Sequence, residues 1–303
     1  MITVPPYLNP GDTIAITCPA GFMAYEKAAA CIHALENAGF KVIPGETLGS
    51  SSENYFSAPD AKRLEELQHF LDDKEVDAIL FGRGGYGTSR IIDQLKFRKF
   101  KKRPKWIAGF SDITILHTHL LNKLGIASIH GPMAAAFNEH NNENIYTGSL
   151  LNALTGVKAS YEVAPHPLNR TGIAEGQVIG GNLALLSHAI GTDSDFKTKD
   201  RIFFIEDIGE CLYNIDRMLV HLVRAGKFKK PAAVLFGGFT DMRDTDRPFG
   251  TDIYGILSEK IAALECPVVF DFPVSHGKMN LALKQGMEYR LFVTKEGVKL
   301  MEN

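Results

Sequence analysis

Trp106-Ile107-Ala108-Gly109-Phe110-Ser111-Asp112-Ile113-Thr114-Ile115-Leu116-His117 reads as an apolar strand running straight into a serine, with a helix beginning directly behind it. A serine at such a corner is pushed out of the sheet surface. Its Oγ is exposed, and the backbone N–H groups of the next helical turn point at whatever it attacks. Serine is also among the best N-cap residues, and for a lone serine at a corner capping is the better explanation. The rest of the chain has to decide between the two.

Outward from this corner, strands and helices alternate. A strand over 13–17 is followed by a helix over 26–38 closed by Gly39, a strand over 41–43, and a helix over 58–71 with Leu64, Leu67 and Leu71 on one face. A buried strand over 76–81, a glycine-rich loop and a helix over 88–95 lead to the quoted strand, whose helix runs to Leu124 and ends at Gly125. Repeated β–α units imply an α/β fold with a parallel sheet wrapped by helices. Residues 138–172 are polar and turn-rich and read as a linker with one short helix inside. Beyond it the pattern is mixed: strands near 176–179, over 202–205 and over 232–236, helices over 182–190 and 214–225, and a closing hairpin, 289–293 with 298–301. Two domains, 1–137 and 173–303, are expected, with a cleft between them.

The 303 residues are 45% hydrophobic and 22% charged with a net charge of −2, a globular composition without the basic footprint of a nucleic-acid binder. No apolar run approaches the ~18 residues of a membrane span, so neither nucleic acid nor membrane is expected as a partner. Cys18, Cys31, Cys211 and Cys266 are scattered, without the spacing of a disulfide framework or zinc knuckle, and there is no H-E-x-x-H. No metal and no cofactor is expected. The first residues show neither a basic n-region nor an apolar h-region, which points to a cytoplasmic location.

Gly82-Arg83-Gly84-Gly85-Tyr86-Gly87 fits G-x-G-x-x-G between a strand and a helix, which alone suggests a dinucleotide fingerprint. It does not lie in the first β–α unit, and the end of the next strand carries Ser111-Asp112 rather than a lone ribose-binding acid. Both strands end at the same sheet edge. Glycines let backbone N–H groups approach a substrate closely, where they can stabilise an oxyanion. Gly85 N–H and Asp112 N–H are the candidate donors. A tight turn explains one or two glycines well and four in six residues poorly.

A serine nucleophile needs a base that is itself oriented by an acid. His276 lies in a loop after a strand over 268–270, where its position suits an exposed loop histidine as well as a catalytic one. Glu206 closes the strand over 202–205, and a carboxylate there is costly unless paired. Asp207 and Glu210 are rivals, and strand direction alone does not choose among the three.

Arg83-Gly84-Gly85-Tyr86-Gly87, Gly109-Phe110-Ser111-Asp112, His130-Gly131-Pro132-Met133, Gly180-Gly181-Asn182-Leu183, Ile205-Glu206-Asp207 and Ser275-His276 occur in the order seen in LD-carboxypeptidases. The chain resembles this family along nearly its whole length. These are the muramoyl-tetrapeptide carboxypeptidases of peptidase family S66, which also include microcin C self-immunity proteins. The resemblance implies a Rossmann-like N-terminal domain, a β-rich mixed C-terminal domain and a homodimer. It also implies a triad of Ser111 as nucleophile, His276 as base and Glu206 as acid, with Arg83 and Asn182 at the substrate. The implied reaction removes the terminal D-alanine of a murein tetrapeptide. Cleavage of a peptidyl sulfamoyl adenylate is the alternative, and non-catalytic nucleotide binding at the glycine loop a second. Pro19-Ala20-Gly21 departs from the family, whose members often carry a serine after the proline. Ile113 stands where an α/β-hydrolase elbow has its second glycine, which argues against that fold. Trp106, at the start of a buried strand, reads as core.

Overall fold

The inner strands of the first half are buried on both faces. In the computed structural model, which describes residues 2–138 and 145–303, β1 (Thr13–Thr17) sends Ile14 and Ile16 into one core and Ala15 into another. β3 (Ala78–Phe81) and β4 (Trp106–Gly109) divide Ala78, Leu80, Trp106 and Ala108 from Ile79, Phe81 and Ile107 in the same way. Apolar residues at every position are what a parallel strand covered on both faces requires. With β2 (Lys41–Pro44) at one edge and β5 (Ser128–His130) beyond β4, these strands form a parallel sheet. Its other edge is β11 (Leu283–Gln285), which comes from the far end of the chain and runs antiparallel to β5. One face is covered by α1 (Ala29–Asn37) and α5 (Ile145–Leu154), the other by α2 (Asp60–Asp72) and α3 (Arg98–Lys102).

The second sheet is mixed. β7 (Gly172–Asn182), β8 (Ile202–Ile208), β9 (Ala233–Thr240) and β10 (Val268–Val269) are parallel neighbours. On the far side of β7, β12 (Glu288–Val293), β13 (Val298–Glu302) and β6 (Ser160–Val163) continue it antiparallel. α6 (Leu183–Ala189), α7 (Leu212–Arg224) and α8 (Ile253–Lys260) cover one face. In α7 the residues Ile215, Leu219 and Leu222 bring the i, i+4, i+7 stripe to that core.

α4 (Thr114–His119), the helix behind Ser111, joins the two sheets. All six of its residues are buried, because Leu116 packs into the first-sheet core and Ile115 into the core beneath α6. Gly181 lets β7 come this close: a Cβ there would lie 2.4 Å from Thr114 Oγ1. The backbone N–H of Asn182 donates to that same oxygen at 3.0 Å.

The α/β class and the parallel first sheet are as expected, while several local features differ. The 139–144 part of the polar linker lies outside the described residues. The short linker helix is α5, but β6 follows it as an edge strand of the second sheet. The helix expected over 88–95 is two 3-10 turns, Thr88–Arg90 and Ile92–Gln94, so no helix N-terminus stands behind the glycine loop to hold a diphosphate. No described helix is long and apolar enough to cross a membrane.

Candidate active site

β4 ends at Gly109, and Ser111 opens a 3-10 turn, Ser111–Ile113, that leads into α4. Ser111 has φ +62°, a left-handed backbone that costs a non-glycine residue about 1–3 kcal/mol and persists only when its surroundings impose it. His117 contributes to that imposition. Its ring bridges Gly109 O (2.8 Å) and Ser128 Oγ (2.9 Å), tying α4 to the ends of β4 and β5. Complete burial pushes this imidazole down to about 4, so it is neutral. Ser111 does not cap the turn or the helix. Its hydroxyl points to His276 instead, donating to Nε2 at 2.7 Å.

His276 sits in a loop stitched to β9. Phe272 N–H donates to Phe236 O, and Gly238 N–H donates to Val274 O. Within the loop, Ser275 Oγ accepts from Gly277 N–H and donates to Met279 O. The imidazole Nδ1 faces Glu206 Oε2 at 2.6 Å. Glu206 is fully buried, and among the described residues its other oxygen has no hydrogen-bond partner. The pairing of β8 with β9 slips at this residue: Ile205 opposes Phe236 and Asp207 opposes Phe239, so two residues of β9 face Glu206 alone. Bulges of this kind re-aim side chains beside functional sites. Burial pushes the His276 imidazole down, but the charge and hydrogen bond of Glu206, aided by the charge of Asp207, outweigh it and leave the pKa raised.

The three candidate acids therefore part company. Asp207 alternates to the opposite side of β8, where Oδ1 accepts from Asn182 Nδ2 (2.9 Å) and Oδ2 from Ala184 N–H (3.1 Å). Burial, then the neighbouring Glu206 charge, pushes it up to about 7. Glu210 Oε2 accepts from Asn214 Nδ2 at 3.1 Å. Only Glu206 meets His276.

The other expected residues divide between site and scaffold. Asn182, taken from the sequence as a substrate contact, is 4% exposed; its side chain caps α6 through Leu185 N–H and braces Asp207. It is the register partner of Glu206, so it couples α4 to that residue. In the glycine loop it is Gly84 that lies against Ser111: a Cβ there would come within 2.8 Å of Ser111 Cβ and 3.4 Å of Asp112 N. Gly85, with φ +104°, turns the chain immediately after it. Asp112 is buried, and its Oδ2 accepts from Thr88 N–H at 2.8 Å, clamping the corner to the loop. Arg83 is exposed at the mouth of an adjoining cleft, where it donates to Phe22 O at 2.8 Å. Sequence reading missed Arg63, which is fully buried beneath the loop and donates to Ala58 O, Pro19 O and Gly87 O. A cation on an otherwise ordinary amphipathic helix carried no signal of this. Among the described residues no group of three or more His, Cys, Asp or Glu is placed to hold a metal ion.

Residues 14–131 match the LD-carboxypeptidase N-terminal domain, and residues 175–291 match the LD-carboxypeptidase C-terminal domain. A probable murein peptide carboxypeptidase of Bacillus subtilis is 32% identical over 285 residues, covering 93% of this chain and 89% of that protein. The crystal structure of muramoyltetrapeptide carboxypeptidase from Oxalobacter formigenes superposes with a TM-score of 0.86 at 28% identity, over 96% of this chain and 98% of that one. The microcin C7 self-immunity protein MccF in complex with aspartyl sulfamoyl adenosine shares the fold, with a TM-score of 0.85 at 22% identity over 99% of each chain.

Proposed function

This chain belongs to the LD-carboxypeptidase family, and from that premise we propose that it removes the terminal D-alanine of a murein tetrapeptide with Ser111, His276 and Glu206 as its catalytic triad. The observation that carries the reading is the continuous hydrogen-bonded line from Ser111 Oγ through both ring nitrogens of His276 to the buried Glu206.

Ser111 attacks the carbonyl of the L–D amide while His276 Nε2 takes its proton. Glu206 holds the ring in the tautomer that leaves Nε2 free to accept, and it stabilises the imidazolium that forms. Asp112 N–H and Gly85 N–H receive the oxyanion. His276 then protonates the leaving amine, and D-alanine departs from an acyl-enzyme. Water, activated by the same histidine, releases the shortened peptide.

The sulfamoyl-adenylate alternative calls for an aromatic platform for a nucleobase. Trp106, the lone tryptophan, is fully buried and stacked on Tyr7, so it offers no tryptophan platform. The test is mass-spectrometric detection of D-alanine release from murein tetrapeptide by wild type and Ser111→Ala. Wild type is expected to release it and Ser111→Ala to lose essentially all turnover while staying folded. Retention of most activity by Ser111→Ala overturns the mechanism.

A further inference from the structure

α2 buries Arg63, Leu67, Phe70 and Leu71 along one stripe. The last three suit a core and the first does not. Among the described residues Arg63 is the one arginine that is fully buried, and a buried cation is costly unless it is both paired and hydrogen-bonded. Its donors reach three separate segments of the chain. Nε donates to Ala58 O at 3.0 Å, Nη1 donates to Pro19 O and to Gly87 O (3.1 Å), and Nη2 pairs with Asp60. The ring of Phe56 lies 4.8 Å from the guanidinium carbon. Asp60 gives its other oxygen to Arg90 at 2.8 Å, so its charge is shared between two arginines.

The contact with Gly87 leads to Ser111. Gly87 has φ +150°, and a Cβ there would lie 2.7 Å from Arg63 Nη1, so glycine lets the loop settle onto the guanidinium. One peptide unit is then held from both ends. Its carbonyl, that of Gly87, accepts from Arg63; its N–H, that of Thr88, donates to Asp112 Oδ2 at 2.8 Å. Asp112 follows Ser111 directly, and Gly84 of the same loop lies against Ser111. Burial raises the pKa of the Asp112 carboxyl, while hydrogen bonds from Thr88 and Gly87 and the charge of Arg63 work against that rise. A carboxylate here repels an oxyanion formed at Ser111 unless a cation answers it.

We propose that Arg63 is a positioning residue for the reaction: through the Gly87–Thr88 peptide it fixes the glycine loop and Asp112 against Ser111, and its charge offsets that of Asp112 beside the oxyanion. The inference rests on the serine carboxypeptidase reading above and adds a residue buried too deeply to touch substrate. It has two separable parts, hydrogen-bond geometry and charge.

The experiment measures D-alanine release from murein tetrapeptide by wild type, Arg63→Lys, Arg63→Gln, Asp112→Asn and the double variant Arg63→Gln/Asp112→Asn, with circular dichroism to check folding. Two ligands give a second readout: a phosphinate analogue of the scissile amide, which is a tetrahedral anion, and the tripeptide product. Arg63→Lys keeps the charge and the aliphatic stem, but one ammonium cannot span the three carbonyls. Its kcat should fall about tenfold with KM changed less than about threefold. Arg63→Gln also removes the charge and should lose about 10²-fold in kcat, with a parallel loss of affinity for the phosphinate and little change for the tripeptide. Adding Asp112→Asn to Arg63→Gln should restore about tenfold, because the stranded carboxylate is gone. Arg63→Lys carries the test by itself where the neutral variant does not fold. Folded variants with kcat within about threefold of wild type, a loss carried by KM, or equal weakening of phosphinate and tripeptide overturn the positioning role. No recovery in the double variant overturns its charge part. Absence of D-alanine release by wild type overturns the carboxypeptidase reading instead.

Discussion

Glu206→Gln removes one negative charge from the least solvated position of the site and changes almost nothing in shape. Glu206 is fully buried, its Oε2 lies 2.6 Å from His276 Nδ1, and the His276 side chain is itself only 14% exposed. During attack the imidazole becomes an imidazolium, and the carboxylate attracts it. For unit charges about 4 Å apart at an effective dielectric of about 20 that attraction is about 4 kcal/mol. At about 1.36 kcal/mol per decade, Glu206→Gln should lower kcat about 10³-fold, with KM little changed, because the charge pair forms only on the way to the transition state. The pH profile gives an independent readout. His276 must be neutral to accept the Ser111 proton, so its raised pKa places the acid limb of kcat/KM above the ordinary imidazole value of 6.5. Without the Glu206 charge, burial is the largest remaining influence, and the limb should move to lower pH. Stopped-time assays of D-alanine release from pH 5 to 9 measure both effects. A loss below about tenfold together with an unmoved limb refutes the assignment, since a 4 kcal/mol attraction cannot vanish without trace.

Two further substitutions probe the scaffold. Gly84→Ala puts a methyl group 2.8 Å from Ser111 Cβ and 3.0 Å from its Oγ, so Ser111 or the loop must shift. Turnover should fall at least about 10²-fold, as expected for misplacement near 1 Å, while thermal unfolding changes little. Lys284 is 1% exposed on β11 of the first sheet and donates to Glu302 Oε1 on β13 of the second at 3.0 Å. Lys284→Met strands that buried carboxylate and should cost about 3–5 kcal/mol in urea unfolding, and adding Glu302→Gln should recover part of the loss.

Short-range patterns reveal one part of this protein and hide another. The serine corner was legible because its signal is local: an apolar run that ends at Ser111 ahead of a helix lies within a dozen residues. The same holds for the alternation of strands and helices in the first half. β5, β6 and β11 were missed because none shows the unbroken apolar run of β3 or β4, and their identity depends on the strands they join. The helix expected over 88–95 failed for a related reason, since a short apolar stretch after a glycine turn suits consecutive 3-10 turns equally well.

By itself the sequence determined the α/β class, the serine corner and a short roster of acids and bases. The acid's identity was not among these. Glu206, Asp207 and Glu210 are neighbours in sequence, and what separates them is which side of β8 each faces and how the β8–β9 pairing slips at Glu206. That register comes from contacts between strands distant in the chain, as does the approach of α4 to β7 at Gly181. Likewise Ser111 and His276, 165 residues apart, meet only because a buried helix and an edge strand lock the two sheets together. Chemistry that depends on a 2.7 Å contact across such a distance is decided by tertiary packing, because local propensity acts over a few residues and has no term for it.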